Sequence, residues 1–322
     1  MPQVAVVIPY FQREAGLLRR AVESIAAQRG VGSIDIIVAD DASPVAPSVD
    51  LSNFASAHCN VRVVTQPNSG PGAARNLALD HVAPGTGFVA FLDSDDVWEP
   101  THLRNAIDAL GDEFDFYFSN HLEPDSDVDE FLRRNRLRLD EHERLPRGSN
   151  CFRFSADMVD QIIRGNVIET STVVYRAERL GHLRFRRDFA NAFEDHLFWL
   201  EAASQSRGIA FSSDVECKYG RGVSIWRSSG LGSDRNFLRL IDQRRFSREI
   251  SARYARTPSQ FAAVREHART TRHEFVAEIL HRLRRKVPID KRLVARQLKL
   301  DPPLIVLALP IAMKILFRRM RK

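Results

Sequence analysis

Cysteine is scarce. Cys59, Cys151 and Cys217 are the three in the chain, odd in number, far apart and without C-x-x-C spacing. That pattern excludes a disulfide framework and a zinc cluster built on thiolates, and it agrees with a reducing compartment. Long apolar runs are lacking too. The longest candidate, Leu304 to Phe317, is interrupted by Pro310 and Lys314 and falls short of the roughly 20 residues a membrane-spanning helix needs. The opening "MPQVAVVIPYF" has no basic leader and no small-residue cleavage site, so it reads as a first strand and not as a signal peptide. No Walker sequence and no complete G-x-G-x-x-G is present, which removes the usual phosphate-loop and dinucleotide fingerprints.

Charge is plentiful but divided. Residues 221–322 carry 25 Lys and Arg against 8 Asp and Glu, whereas residues 1–220 carry 22 against 33. The acidic part repels polyanions unless a cation intervenes, so no nucleic-acid partner is expected, and the basic part is drawn to phosphate-rich surfaces. With 322 residues, 44% of them hydrophobic, the chain is long enough for one large domain and an appendage.

The first half alternates strand and helix patterns. "VAVVIP", "IDIIVADD", "VRVVTQ" and "FVAFLD" are short, largely β-branched apolar runs. "AGLLRRAVESIAAQ" places Leu17, Leu18, Ala21, Val22 and Ile25 at helical spacing, and a second helix opens at "GPGAARNLALDHV". Apolar strands separated by amphipathic helices predict an α/β open sheet, mostly parallel, with helices on both faces. In such sheets ligands sit beyond the carboxyl ends of the strands, where "ADDAS", "QPNSGPG" and "LDSDD" fall. The last stretch sets Asp93 and Asp95 as D-x-D directly after a buried strand. Crowded carboxylates repel unless a divalent cation lies between them, and Mg²⁺ or Mn²⁺ needs only one or two protein carboxylates when substrate phosphates complete its shell. A solvated acidic turn before Pro100 is the plainer alternative. Of Asp40 and Asp41, one can end the strand and the other can face the crevice. Gly70 and Gly72 precede a helix, where backbone N–H groups can meet an anion.

Together "VVIPYFQRE", "IIVADDAS", "NSGPGAARN" and "FLDSDDVW" resemble the nucleotide-binding half of a family 2 glycosyltransferase of the GT-A, Rossmann-like fold, over roughly residues 3–225. The resemblance implies inverting transfer from a nucleotide sugar. It places Asp41 on the base, Asp93 near the ribose and donor sugar, and Asp95 on the metal, with Pro9, Arg75 and Asn76 lining the nucleotide pocket. It implies a base at the start of a downstream helix, where "NAFEDHLFWLEAA" supplies Asp195, with Glu194 orienting the acceptor and His196 as the second candidate base. In "CKYGRGVSIWRSS", Arg221 and Ser224 are the implied ligands of the diphosphate, and Gly220 and Gly222 the hinges of a lid. The Q-x-x-R-W motif of processive synthases is absent, so one addition per encounter is expected. The order of motifs and the tail beginning "DPPLIV" resemble the succinoglycan-type exopolysaccharide glucosyltransferases. These imply UDP-glucose as donor and a polyprenyl-diphosphate-linked oligosaccharide as acceptor, at the cytoplasmic face of the membrane.

The expected organisation is a catalytic domain over residues 1–225 and a basic helical extension over 226–322. The apolar tail with Arg318, Arg319, Arg321 and Lys322 is either a peripheral anchor on an anionic leaflet or a helix packed back on the protein. Two other classes stay open. A sugar nucleotidyltransferase also carries acids at strand ends, but it opens with a Gly- and Arg-rich loop where this chain has "PYFQRE". A noncatalytic nucleotide-sugar or polyanion-binding membrane protein would not need Asp195.

Overall fold

The computed structural model describes residues 4–223 and 229–320, with side chains to residue 317. Two compact units divide it: Met1–Ala190 with Glu194–Val223, and Asn191–Phe193 with Ser224–Lys322.

The first unit is built on one sheet. In chain order its strands are β1 (Val4–Tyr10), β2 (Ile34–Asp40), β3 (Cys59–Thr65), β4 (Phe88–Phe91), β5 (Val97–Trp98), β6 (Phe116–Leu122), β7 (Glu143–Arg144), β8 (Cys151–Arg153), β9 (Val174–Arg176) and β10 (Ile209–Lys218). They lie in the order β3-β2-β1-β4-β9-β6-β10-β8-β7, with β5 beside β10. β3, β2, β1 and β4 are parallel, as are β6 and β10. This is the expected α/β architecture. The antiparallel strands β5, β7, β8 and β9 are two or three residues long, and such lengths hold no periodicity to read.

Both faces are covered, which explains why the strands are apolar without alternation. Val4, Val6, Ile8 and Tyr10 of β1, with Ile34, Ile36 and Val38 of β2, share a core with Leu18, Val22, Leu103 and Leu110 from the helices Leu17–Ala26 and His102–Leu110. The opposite face is aromatic. Phe91 meets Phe198 edge-on at 5.7 Å, Phe116 meets Trp199 at 5.7 Å, and Phe185 stacks on Phe198 at 4.3 Å. Each such ring contributes about 1.5–3 kcal/mol by leaving water, and together they fix the helix Glu194–Gln205 against the sheet.

Register sets the functional edge. Tyr10 is level with Asp40, and Asp40 with Thr65, so the loops after β1, β2 and β3 leave from one line. β4 stops earlier, its Phe91 opposite Val7. The residues after Phe91 therefore run along the depth that Ile8–Tyr10 still occupy as strand.

The second unit is helical, as expected for the basic extension. Asp234–Arg253, Pro258–Arg285, Lys291–Leu300 and Pro303–Met320 follow one another. Side-chain caps from Ser233, Thr257 and Asp290 satisfy the first three N-termini, and Thr257 with Gln260 forms a full capping box. Phe237, Leu240, Phe275, Val276, Leu304 and Ile315 form the core. Charges inside are paired. Asp301, fully buried, accepts from Arg272 at 2.7 and 2.8 Å and from Arg244 at 3.4 Å. Buried Arg282 donates to Glu278 at 2.6 Å and lies over the Phe237 ring.

The helix Pro303–Met320 packs against the helical unit along one side and leaves apolar residues uncovered along the other. Leu304 and Ile315 are buried, whereas Ile305, Val306, Leu309, Met313, Leu316 and Phe317 are exposed. Among the described residues no single helix is long and apolar enough to cross a membrane.

Candidate active site

The residues after β4 form a tight acid turn. Asp96 N–H donates to Asp93 O at 3.0 Å. Ser171 fastens the turn from the side: its Oγ accepts from Asp93 N–H at 2.9 Å and donates to Asp96 Oδ2 at 2.5 Å. Ser171 is itself held, because its carbonyl accepts from the Trp98 indole N–H at 2.6 Å. Ser94 Oγ accepts from Gln12 at 3.0 Å, tying the turn to the loop after β1. Burial first, and then the charges of Asp95 and Asp93, push the Asp96 carboxyl well above its ordinary range.

The segment after β10 closes over this turn. Gly220 N–H donates to Asp96 Oδ1 at 2.8 Å, and Gly222 N–H to Asp95 Oδ2 at 2.7 Å. Only glycine permits the approach: a Cβ on Gly220 would sit 1.9 Å from the Asp95 carbonyl oxygen, and one on Gly222 would sit 2.8 Å from the Asp95 side chain. Arg221 between them is exposed and paired with Asp125. Ser224 lies outside the described residues.

Arg75 joins the acid turn to the E-D pair. Its guanidinium donates to Asp93 Oδ1 at 2.8 Å and to Glu194 Oε1 at 3.2 Å, and it rests on the Phe185 ring at 5.3 Å. Burial pulls this guanidinium down, but Asp93 and Glu194 outweigh it and hold the charge firmly. The two neighbouring acids then separate. Burial and the Asp195 charge raise Glu194 to about 7. Asp195 is driven up by burial, but the His196 imidazole and backbone N–H, with Arg75, bring it down to about 2. His196 Nδ1 lies 2.9 Å from Asp195 Oδ1. Asp195 is therefore ionised at neutral pH with a quarter of its side chain exposed, while Glu194 is covered and held by Arg75.

Other expected residues fall at the same edge in different attitudes. Asp41 is buried and accepts from Gln66, from Ser69 N–H and from Gly70 N–H at 2.7–2.9 Å, so it shapes the glycine loop that opens the helix Pro71–Leu79. Asp40 accepts from Ser43 N–H at 2.8 Å, the strand-ending role. Asn76 is buried, with both ends of its amide bonded to the Phe185 backbone at 2.9 and 2.7 Å. Pro9 is partly buried near the end of β1, level with Ala39.

Asp93 and Asp95 offer hard oxygen donors, both partly exposed, beside a third acid that burial, and then their own charges, push up. That donor set fits Mg²⁺ or Mn²⁺. A different trio, His121, Glu123 and Glu130, also brings three ligand atoms within 4.8 Å of one another. There Glu130 is already neutralised by Arg133 at 2.6 Å and by Arg134, so the group is an ion-pair network.

Reasoning from sequence missed Ser171, Gln12 and the pairing of Arg75. Ser171 sits in "ETSTVV", which carries no readable motif, and its partners are 75 to 78 residues away.

Comparison with known proteins bears on the fold and the family. The chain is 30% identical over 321 residues, 99% of its length and 100% of the relative's, to the succinoglycan biosynthesis protein ExoW of Rhizobium meliloti. It is 32% identical over 112 residues, 34% of the chain and 25% of the relative, to the minor teichoic acid biosynthesis protein GgaA of Bacillus subtilis. In three dimensions it is similar to S. aureus TarS, with a TM-score of 0.60 at 18% identity over 98% of this chain; the chain spans about half, 54%, of that protein. The TarS fragment 1–349 in complex with UDP-GlcNAc gives a TM-score of 0.60 at 17% identity, covering 96% of this chain and 81% of that one. Residues 5–177, which run through β1–β4 and the acid turn, match Glycosyl transferase family 2, and it is to this family that the chain belongs.

Proposed function

We propose that this chain is an inverting, metal-dependent glycosyltransferase. In this reading it moves a hexose, glucose from UDP-glucose, onto a polyprenyl-diphosphate-linked oligosaccharide during exopolysaccharide synthesis at the cytoplasmic face of the membrane. The observation that carries the reading is Arg75, which ties Asp93 of the acid turn to Glu194 of the E-D pair. Donor-side and acceptor-side carboxylates are thereby set in one frame. The whole-length likeness to ExoW supports exopolysaccharide synthesis, and the UDP-GlcNAc complex of TarS supports a UDP-linked donor.

In the proposed reaction Asp195 takes the proton of the attacking hydroxyl, being ionised and partly exposed. His196 holds it in place through its backbone N–H and Nδ1, and the charges of His196 and Arg75 keep it ionised. A divalent cation held by Asp95, with Asp93 beside it, would supply positive charge to the departing diphosphate. Gly220 and Gly222 let their own backbone lie against that site, and Asp41 maintains the loop on which the nucleotide would rest.

Access to a lipid-linked acceptor is assigned to the helix Pro303–Met320. Its exposed apolar face, followed in sequence by Arg318, Arg319, Arg321 and Lys322, matches an anionic leaflet in both apolarity and charge.

The test is incubation with UDP-glucose and membrane lipid-linked acceptor, scored for UDP release and product mass. Turnover requiring Mg²⁺ or Mn²⁺ and weakened donor binding in Asp95→Ala are expected. Normal donor binding by that variant, with turnover surviving a chelator, overturns the metal assignment.

A further inference from the structure

We infer that the helical unit carries an anion site of its own, a cavity for a phosphate or diphosphate group between the helices Asp234–Arg253 and Pro258–Arg285. The cavity is about 540 Å³ and is lined by Arg244, Arg248, Arg265, Arg269 and Arg272. It lies within one unit, and nothing in the proposed glycosyl transfer uses it.

Its origin is readable in the spacing. Arg244 and Arg248 are four apart on the first helix, and Arg265, Arg269 and Arg272 are four and three apart on the second, so each set occupies one helix face. Because only Tyr254–Thr257 join the two helices, the chain doubles back and the rows share one cleft. Phe261, Val264 and Ala268 add an apolar wall, which lowers the local dielectric and strengthens any charge-assisted bond made there.

The positive charge exceeds what the protein pairs. Asp301 serves Arg272 and Arg244, and Glu266 serves Arg269 at 2.9 Å. Among the described residues no carboxylate is paired with Arg248 or Arg265. Arg248 donates to the Leu300 carbonyl at 3.2 Å. Arg244 Nε is buried and has no acceptor among the described residues. Burial, with the like charges of Arg272 and Arg248, outweighs Asp301 and pulls the Arg244 guanidinium below its usual value. Five guanidiniums against two carboxylates leave an excess that a multiply charged, many-oxygen anion neutralises. The planar fork of arginine suits phosphate oxygens.

The experiment is calorimetric titration of the full chain with inorganic pyrophosphate at constant ionic strength. EDTA is present throughout, so that cation-assisted binding at the strand ends does not contribute. Saturable binding is expected, weakened at least tenfold in the double variant Arg248→Gln/Arg265→Gln. Both side chains are exposed, so this variant is expected to keep the wild-type melting temperature, which is measured alongside. Absence of saturable binding overturns the inference, as does affinity within twofold in a folded double variant, or equal binding of inorganic sulfate. Sedimentation with phosphatidate-containing against pure phosphatidylcholine vesicles then separates the sources. Loss of phosphatidate-dependent sedimentation in the double variant assigns the site to a lipid headgroup, and unchanged sedimentation with impaired pyrophosphate binding assigns it to a soluble phosphate.

Discussion

The two units solve one electrostatic problem with opposite signs. In the sheet unit a buried arginine, Arg75, is shared by two carboxylates, Asp93 and Glu194. In the helical unit a buried carboxylate, Asp301, is shared by two arginines, Arg272 and Arg244. What each leaves over differs accordingly. Asp93, Asp95 and Asp195 remain partly exposed in the first unit, and Arg248 and Arg265 are exposed in the second. Burying an ion is costly unless it is paired, so the sign in excess at a concave site indicates the sign of what is to be bound. On the proposed readings, the first unit would hold a cation and accept the hydroxyl proton, and the second would hold phosphate.

The largest expected effect tests whether the excess acid in the sheet unit performs chemistry. Asp195→Asn keeps the shape but removes the proton acceptor, so turnover should fall by roughly two to four orders of magnitude with little change in donor affinity. Steady-state rates with UDP-glucose, set against donor binding by calorimetry, measure this. Near-normal turnover would shift the base to Glu194 or His196.

Next in size is the shared arginine. Arg75→Ala leaves the covered Glu194 and the partly exposed Asp93 without their partner, and a loss of about 3 kcal/mol in unfolding free energy is expected, the low end of the range for a broken buried pair. Urea denaturation reads it directly. A loss below about 1 kcal/mol would mean that water, and not Arg75, satisfies those carboxylates.

The helical unit is probed by Val306→Gln/Leu309→Gln/Phe317→Gln, which alters only exposed positions. Deleting residues 301–322 would instead remove buried Asp301 and Leu304 and confound binding with folding. Each apolar side chain moved from water into lipid is worth about 1.5–3 kcal/mol, so sedimentation with anionic vesicles should weaken at least tenfold. Unchanged sedimentation would assign membrane attachment to charge alone.

The remaining effect lies in pH. Glu194, raised to about 7, holds in the folded state a proton that the unfolded chain releases above about 4.3. Its contribution to stability is full below that lower value and is lost as pH rises through about 7, at up to about 1.4 kcal/mol per unit. Asp195, lowered to about 2, acts in the opposite sense: its contribution is present above about 3.9 and is lost as pH falls through about 2. Melting temperatures between pH 5 and 8 should therefore slope downward more steeply in the wild type than in Glu194→Gln. Equal slopes would place the titration elsewhere.

The parts legible in the sequence are those whose cause is local. β1 and β2 announce themselves because burial on both faces demands continuous Val, Ile and Ala. The helix Leu17–Ala26 does so through Leu18, Ala21, Val22 and Ile25. The D-x-D turn was legible because acids directly after a buried strand are conspicuous. Its fastening was not, since Ser171 and Gln12 act on residues more than 70 positions away. For the same reason the attitudes of Asp41 and Asn76 had to come from the structure. Residue type permits each to face a nucleotide or to hold a loop, and the partners of Asp41, Ser69 and Gly70, and of Asn76, Phe185, decide the attitude seen here.

The strand order carries a consequence for synthesis. β9, Val174–Arg176, lies between β4, which ends at Phe91, and β6, which ends at Leu122. As the chain leaves the ribosome, the facing edge of β6 stays without its partner until some fifty further residues are made, about 3–10 s at ordinary elongation rates, and that of β4 waits longer still. During that interval two apolar strands present open backbone N–H and C=O groups to any other extended chain. Slower translation between residues 123 and 176 lengthens that exposure, so yield of soluble protein is expected to fall with rare codons in a stretch that contributes Ser171 and β9 and none of the carboxylates proposed to act on the sugar.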